Sequence, residues 1–500
     1  MKPWLARRIA ETPNAPALSA GDDTLDYRQL AEAAARRAAV LESAGIGRGD
    51  RVLMSPGSDP MEAALWIHAL FWRGATLVPV YSAMPSGRLA DLIEWLAPAA
   101  RLRFDREPAQ QSARALSRPA APCPEIRCDS VAAGATTAGV TKVSPAAELD
   151  ADDVAVILLT SGSTAAPKAV PLTLAQLAAS ASAVAERLGR SPHDRWLACL
   201  PLHHVGGLAI LIRAVLAGAS VRLHARFDAA GVIRELCTEP VAGKPVTLAS
   251  LVPTMLVDLL EAGPREFRTS LRAVLIGGAP APGRLLLQAR ERGLPVLPTW
   301  GMTEAGSQLA TLAPAAARSV DFAAREGLVG KPLAGVEVRR RGPPGEGALQ
   351  VRGPMLFGGY VDGDVPGPDA DGWFTTGDLG EFDDRGNLYI TGRAAHLIIS
   401  GGENIDLRAV EARIRASGLV ADVALAAVDD PRWSQRIGAV VVPAAPDTAD
   451  SVESLATWAR AHLEPAERPV RWVRVDGIPA AETGKPCRDT LLKLLETRQN

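Results

Sequence analysis

The stretch TSGSTAAPK, residues 160–168, directly follows the apolar run VAVILL at residues 154–159. A short apolar run bounded by turn residues predicts a buried strand. A loop of hydroxyls and glycine that ends in lysine suits a polyphosphate, because backbone N–H groups can approach, hydroxyls can donate hydrogen bonds and lysine supplies charge. The Walker spacing GxxxxGK[ST] is absent, and a plain polar loop stays an alternative. The candidate phosphate contacts are Thr160, Ser161, Gly162, Ser163, Thr164 and Lys168.

Apolar, strand-like runs alternate with helical patterns along most of the chain. This alternation predicts βαβ units and mostly parallel sheets. The chain has 500 residues, which exceeds one typical domain, and the pattern changes after Arg393. We predict an α/β fold with a large N-terminal domain of stacked βαβ sheets, residues 1–393, and a small, mobile α+β lid, residues 394–500. Residues 105–150 are predicted to be a variable loop region. The strand-like runs lie at residues 154–159, 196–200, 219–223, 246–250 and 273–276.

Composition excludes several classes of protein. Lysine and arginine number 54 against 56 aspartate and glutamate, a net charge of −2, which gives no support to nucleic-acid binding. The five cysteines include no CxxC pair, which argues against a disulfide framework or a zinc site and fits a reducing cytoplasm. No secretory signal is evident in Met1–Pro16. The most apolar stretch, Val205–Val221, contains Arg213, so we predict a buried helix there and no membrane span.

Two further loops carry side chains suited to a nucleotide. Residues 299–304 have the sequence TWGMTE. Here Trp300 beside a glycine can lie against a purine, Thr303 can hydrogen-bond a phosphate, and Glu304 can ligate Mg²⁺, a hard cation that prefers oxygen. In the turn TGD, Asp378 can accept hydrogen bonds from both ribose hydroxyls. Each motif taken alone is also compatible with an ordinary loop, because an acid in a turn is common.

Taken in this order, the motifs resemble those of the adenylate-forming superfamily of acyl- and aryl-CoA ligases, nonribosomal-peptide adenylation domains and luciferases. The resemblance runs from about residue 10 to 495 and includes Gly392-Arg393 and the turn Thr483-Gly484-Lys485. It implies that residues 1–393 form an AMP-binding domain and that ATP, Mg²⁺ and coenzyme A take part. A small-molecule carboxylic acid would be activated as its acyl-adenylate and then transferred to CoA.

The resemblance also assigns roles residue by residue. Lys485 would enter the site from the lid and stabilise the charge that develops during adenylation, with Thr303 on phosphate and Glu304 on Mg²⁺. The lid would then rotate and bring Gly402 to the thiol tunnel. The remaining nucleotide contacts would be Gly277, Gly278, Ala279, Trp300, Gly301, Asp378 and Arg393. Trp433 and Arg468 would contact the nucleotide end of CoA, with surface packing as the alternative.

The segment PLHHVGG, residues 201–207, bears on the acid. It resembles the part of aryl-CoA ligases in which a histidine, here His204, gates the acyl pocket, although a lone histidine is often structural. Arg213 either holds a second carboxylate of the substrate or reaches solvent, and Ser307 and Gln308 would add polar groups to the pocket. These segments most resemble the o-succinylbenzoate–CoA ligases of menaquinone synthesis. A benzoate derivative and a medium-chain acid are the alternative substrates.

The sequence departs from the superfamily pattern at several positions. Ala165 stands where the phosphate loop usually has glycine, which imposes strain if that residue needs a positive φ. Ala395 replaces the usual polar hinge residue, and Trp300 replaces the more usual tyrosine, with a ring that can still stack on adenine. No charged catalytic group is lost, so we predict activity. A carrier-protein-loading enzyme and a non-catalytic homologue are the alternatives in other classes, and a homodimer stays open.

Overall fold

The protein is described by a computed structural model. It covers the chain except for residues 1, 83, 85, 105–122, 129–147, 161–167, 238–243, 268, 318–325, 342–347, 364, 394–396, 401–402, 431–433, 445–450, 464, 480–486 and 498–500. The helices are α1 Trp4–Glu11, α2 Tyr27–Ser43, α3 Pro60–Arg73, α4 Ser86–Leu96, α5 Leu174–Leu188, α6 Val205–Ala217, α7 Ala229–Cys237, α8 Pro253–Ala262, α9 Gly283–Glu291, α10 Pro314–Ala317, α11 Leu407–Ala416, α12 Ser451–His462 and α13 Arg488–Thr497.

Among the described residues, the strands fall into three sheets. They are β1 Pro16–Ala20, β2 Asp23–Asp26, β3 Arg51–Met54, β4 Thr76–Pro79, β5 Ala100–Arg103, β6 Glu125–Arg127, β7 Val154–Thr160, β8 Lys168–Thr173, β9 Arg195–Ala198, β10 Ser220–Leu223, β11 Leu248–Leu251, β12 Ala273–Ile276, β13 Val296–Met302, β14 Ser307–Thr311, β15 Leu328–Pro332, β16 Glu337–Arg340, β17 Ala348–Arg352, β18 Phe374–Phe382, β19 Leu388–Arg393, β20 Leu397–Ser400, β21 Glu403–Asp406, β22 Val420–Asp430, β23 Ser434–Pro443 and β24 Arg471–Arg474.

The largest sheet has 13 strands in the order β16-β17-β18-β19-β15-β14-β13-β12-β11-β9-β10-β1-β2. Its central strands β1, β10, β9, β11, β12 and β13 pair in parallel, as the alternating pattern predicts. From β13 to β16 every pair is antiparallel. The predicted motifs at residues 277–279, Trp300 and Asp378 lie on both halves of this sheet, so the predicted site includes its antiparallel half, whereas Thr160 and Lys168 lie on β7 and β8 of another sheet.

The second N-terminal sheet has six strands in the order β6-β5-β3-β4-β7-β8. Side chains alternate between its faces: Val52 and Met54 join the main hydrophobic core, whereas Leu53 joins a smaller cluster with Val78 and Ile157. Both faces are therefore buried, which explains why these strands are continuous apolar runs. Within the predicted loop region 105–150, Glu125–Arg127 forms strand β6, which pairs with β5.

Helix ends in this part of the chain follow from local chemistry. The carboxylate of Asp26 accepts from the backbone N–H of Gln29, and the Gln29 side chain accepts from the Asp26 backbone, a capping box that begins α2. Thr173 and Gln176 do the same for α5. The predicted buried helix at 205–221 is α6, which ends at Gly218 in the left-handed conformation, and strand β10 follows it. No helix among the described residues is apolar over a length that would span a bilayer.

The C-terminal part forms its own sheet, in the order β21-β20-β23-β22 with β24 beside β23. Its two faces carry separate apolar clusters, one with α11 and α12 and the other with α13. A larger N-terminal α/β part and a smaller C-terminal part are thus confirmed. The predicted boundary at 393/394 adjoins residues 394–396, which lie outside the described residues, and stays a prediction.

Candidate nucleotide-binding site

Several predicted site residues lie where parallel strands end. His204 follows β9 and precedes α6, and Gly277, Gly278 and Ala279 follow β12. In open α/β sheets, ligands bind outside the carboxyl ends of the strands. A side chain on Gly277 would place its Cβ 2.4 Å from Oγ1 of Thr299, so only glycine allows this loop to pass β13. The placement fits a purine pocket, and the adenine contact itself stays a prediction.

The predicted phosphate loop connects two antiparallel strands. Thr160 ends β7, Lys168 begins β8, and the two are register partners. Residues 161–167 lie outside the described residues, so the predictions for Ser161, Gly162, Ser163, Thr164 and Ala165 are not tested. The Nζ of Lys168 lies 5.1 Å from the centre of the Tyr360 ring, a distance at which an ammonium group is attracted to the ring face.

Trp300 and Asp378 are in direct contact. The indole Nε1–H of Trp300 donates a hydrogen bond to Oδ2 of Asp378 over 2.8 Å, and the two residues are only 7% and 4% exposed. Strands β14, β15 and β19 lie between the strands that carry them. Four strand-to-strand steps would span roughly 19 Å in a flat sheet, more than these side chains can bridge. The sheet is therefore curled, and the curl brings the purine and ribose motifs together.

A residue that sequence analysis did not identify, Tyr360, organises the predicted metal ligand. Its hydroxyl donates to Oε1 of Glu304 over 2.7 Å, and its ring packs edge-on against Phe357. The backbone N–H of Phe357 donates to the Glu304 carbonyl over 2.8 Å. Burial, reinforced by the Glu304 charge and this hydrogen bond, raises the pKa of Tyr360, so the phenol stays a donor. A tyrosine in the segment GPMLFGGY carries no signal of this role.

The turn between β13 and β14 holds Thr303 and Glu304 in a single 3₁₀ turn, closed by Gly306 in the left-handed conformation. A Cβ on Gly301 would lie 1.8 Å from the carbonyl oxygen of Ser307, so this hairpin requires glycine there. Ser307 has a φ of 133°, which side chains rarely adopt and which is typical of functional turns. Gln308 is buried and accepts from the Thr311 hydroxyl over 3.1 Å, so its amide oxygen is engaged inside the fold.

The histidine pair beyond β9 lies at the start of α6. His204 is exposed, and its ring centre lies 4.3 Å from that of His203. The Tyr81 ring also lies near His203, with ring centres 6.2 Å apart. Burial, with a contribution from His204, lowers the pKa of His203 to about 4, so His203 is neutral at physiological pH. An exposed His204 backed by rings fits the predicted gate.

The structure does not bring Arg213 to His204. Nine residues along α6 separate them, which is about 14 Å along the helix axis. The Arg213 guanidinium lies 5.8 Å from the Trp196 ring centre, in a cavity also lined by Asp194 and Arg272. Asp194 and Arg272 are paired with each other, Nε to Oδ1 over 2.7 Å. Arg213 is buried, so it does not reach solvent, and its contact with a second carboxylate of the substrate stays a prediction.

The predicted lid residues are only partly described. Gly402, Trp433, Lys485 and Ala395 lie outside the described residues, so their roles are not tested. Arg393 is the register partner of Asp378 on the adjacent strand β19, which places the predicted end of the large domain beside the predicted ribose acid. The Nε of Arg468 donates to the Leu463 carbonyl over 2.8 Å, at the end of α12. A contact between Arg468 and CoA stays a prediction.

The chain matches the AMP-binding enzymes over residues 5–361 and the C-terminal domain of AMP-binding enzymes over residues 409–485. It belongs to the family of AMP-binding enzymes, which confirms the resemblance seen in the motifs.

The similarity extends to particular members of that family. A 2-succinylbenzoate–CoA ligase of Bacillus licheniformis is 35% identical, with 98% of each chain covered, and that of Bacillus velezensis is 34% identical, covering 98% of this chain and 97% of the relative. The o-succinylbenzoate CoA synthetase of Bacillus subtilis in complex with the acyl-adenylate intermediate OSB-AMP superimposes with a TM-score of 0.84, at 30% identity over 98% of both chains. The same enzyme with ATP and magnesium ion gives 0.81 at 29% identity, covering 98% and 99%.

Proposed function

We propose that this chain is an ATP-dependent 2-succinylbenzoate–CoA ligase. The observation that carries the proposal is similarity to ligases of this acid over 98% of the chain, joined to a site in which Trp300 and Asp378 meet. A carboxylate oxygen of the acid attacks the α-phosphorus of ATP, the bond to the bridging oxygen breaks, and pyrophosphate leaves. The CoA thiolate then attacks the acyl carbonyl, and AMP leaves with the former carboxylate oxygen.

The residues divide this work by position. Thr160, Lys168 and Thr303 hold phosphate oxygens, Asp378 accepts from the ribose hydroxyls, and His204 borders the acyl pocket. Lys485 reaches the site from the lid for adenylation. By analogy with the loss of one preorganised oxyanion donor, loss of the Lys485 charge is expected to lower the rate on the order of 10²–10³-fold. Use of ATP and CoA by a menaquinone-pathway enzyme supports a cytoplasmic location.

Glu304 fits a magnesium ion that is shared with substrate phosphates. Magnesium commonly binds through one or two carboxylates together with phosphate oxygens and water. Glu304 provides one partly buried carboxylate just past the end of β13, and the Tyr360 hydroxyl holds it at Oε1. When bound, the ion would neutralise phosphate charge. Among the described residues no group of three or more acids, histidines or cysteines could hold a metal ion.

The test is acid-dependent release of pyrophosphate and formation of a CoA thioester. Purified protein is given ATP, Mg²⁺ and CoA with o-succinylbenzoate, 4-oxo-4-phenylbutanoate, benzoate or octanoate. We expect clear preference for o-succinylbenzoate and no product when CoA is replaced by a phosphopantetheine carrier protein. Turnover of the other acids alone would overturn the substrate assignment. An absence of pyrophosphate with every acid would overturn the enzymatic assignment.

A pair of lysine variants separates the half-reactions. Lys485→Ala should lose pyrophosphate release while it still converts supplied acyl-adenylate and CoA to thioester. Lys493→Ala, in helix α13, is the matched control and should keep both activities. Equal loss of both half-reactions in Lys485→Ala would contradict the proposed role of Lys485 in adenylation alone.

A further inference from the structure

Trp300 donates a hydrogen bond to Asp378, and stacking of the indole on adenine would not require this bond. An indole that is 7% exposed offers little ring face to a purine. Its polar edge points at Oδ2 of Asp378, with Nε1 at 2.8 Å. A hydrogen bond to a charged group in a buried setting is among the stronger hydrogen bonds in proteins. Trp300 is therefore held by the hydrogen bond of its indole N–H as much as by the packing of its ring.

An aspartate that must accept from two ribose hydroxyls needs a fixed carboxylate plane. The terminal torsion of aspartate is broad and roughly two-fold, so the plane is not set by the side chain alone. The backbone of Asp378 is restrained separately, because its N–H donates to Oγ1 of Thr376 over 3.1 Å. The Trp300 N–H adds a second restraint at Oδ2 and orients the carboxylate itself.

We propose that Trp300 is a positioning residue whose indole N–H orients the Asp378 carboxylate for recognition of both ribose hydroxyls. The inference rests on the proposed nucleotide role of Asp378. In this proposal, the tryptophan that stands in place of the usual tyrosine helps the site to distinguish ribonucleotides from deoxyribonucleotides. Replacing a tryptophan with only a structural role would weaken the use of all nucleotides equally. Replacing a positioning tryptophan weakens most the use of nucleotides that carry both ribose hydroxyls.

The experiment compares ATP, 2′-deoxy-ATP and 3′-deoxy-ATP as substrates of the full chain and of Trp300→Phe. The variant keeps an aromatic ring but has no donor. We expect its preference for ATP over either deoxynucleotide, as a ratio of kcat/KM, to fall about tenfold, with most of the change in KM. A loss of activity that is equal for all three nucleotides would overturn the proposal.

Two further variants protect the test against a general packing defect. Trp300→His returns a ring N–H at the corresponding ring position and is expected to recover part of the ratio. Trp72→Phe is the matched control, because the buried Trp72 indole N–H has no hydrogen-bond partner among the described residues; its ratio should match the wild type. Failure of Trp300→His to recover any preference, with the protein folded by circular dichroism, would count against the donor role.

A binding measurement separates this proposal from the proposed function. Isothermal titration calorimetry with AMP and 2′-deoxy-AMP needs no turnover. If the wild type prefers AMP and Trp300→Phe does not, the positioning role holds even when no acid is turned over. In Trp300→Phe combined with Asp378→Asn, the loss should be no greater than in Asp378→Asn alone, since residues that act through one contact are not additive. Additive losses would overturn it.

Discussion

Replacement of Arg213 by methionine tests whether the buried guanidinium destabilises the fold and whether it anchors the substrate. Arg213 is 4% exposed, and its Nε and Nη2 have no hydrogen-bond partner among the residues that the structure describes. Burial lowers the pKa of Arg213 to about 10. The group is still protonated at neutral pH, so the folded protein carries a poorly solvated charge. A methionine side chain is unbranched and apolar and carries no such charge, and Arg213→Met should therefore stabilise the fold.

The size of the gain follows from the pKa. The lowered value means that folding disfavours the protonated form, and this penalty is present at every pH below about 10 and disappears as the pH rises towards 12.5. The shift corresponds to about 3 kcal/mol. Loss of the interaction with Trp196, at 5.8 Å, offsets about 1 kcal/mol. The net expectation is a free energy of unfolding about 2 kcal/mol higher in Arg213→Met, or roughly 2 °C in melting temperature for a domain of this size.

The assay is scanning calorimetry of wild type, Arg213→Met and Arg213→Lys at pH 7 under matched conditions, with Arg213→Lys expected to show no gain. A melting temperature below the wild type for Arg213→Met would refute the reasoning, since it would mean that the guanidinium is well paired. The same variant is then compared on o-succinylbenzoate and on 4-oxo-4-phenylbutanoate, which lacks the ring carboxylate. Equal effects on both acids would exclude an anchoring role, whereas a loss of about 10-fold or more confined to o-succinylbenzoate would establish one.

Two other changes follow from the site and the core. Tyr360→Phe removes the hydroxyl that holds Glu304 but keeps the ring beside Lys168, so we expect roughly tenfold weaker Mg²⁺-dependent binding of ATP by calorimetry; an unchanged Mg²⁺ dependence would show that Glu304 needs no such support. Burial lowers the pKa of His68 from 6.5 to about 4. Between these two pH values the unfolded chain binds a proton at this histidine, whereas the folded chain does not. Stability should therefore fall by up to about 3 kcal/mol as the pH drops from 6.5 to 4, and melting curves of His68→Leu should show a shallower fall; parallel curves would assign the acid sensitivity to other groups.

Much of the fold could be predicted because buried parallel strands leave a strong local signal. The runs 154–159, 196–200, 219–223, 246–250 and 273–276 all fall on strands β7 and β9–β12. The antiparallel half of the large sheet was not predicted as such. Its strands carry more polar residues, as in β16, where only one of the four residues is even partly buried, and their partners are set by turns and by the curl of the sheet.

The candidate site, like the fold, could be predicted only in part. Motif order predicts Trp300, Glu304 and Asp378 as site residues, because the residue types match the chemistry of a nucleotide. Their mutual contacts were out of reach, since the Trp300–Asp378 bond joins positions 78 apart. Tyr360 was missed because a single tyrosine in a loop has no spacing to distinguish it. The sequence left open whether Arg213 holds a substrate carboxylate or reaches solvent, because helix periodicity gives the buried face but not the depth of a side chain along the helix.

The curl of the large sheet also sets an order of assembly during synthesis. A chain that has emerged only as far as residue 361 contains the phosphate hairpin, the purine loop and Tyr360, but β18 and β19 are missing, and with them Asp378. Pairing between strands that are distant in the chain forms late, because closing the loop costs entropy before the strand contacts can offset that cost. A ribosome-bound chain therefore lacks the proposed ribose-binding Asp378 until the last strands curl back towards β13, and nucleotide binding is expected to report that the N-terminal sheets are complete.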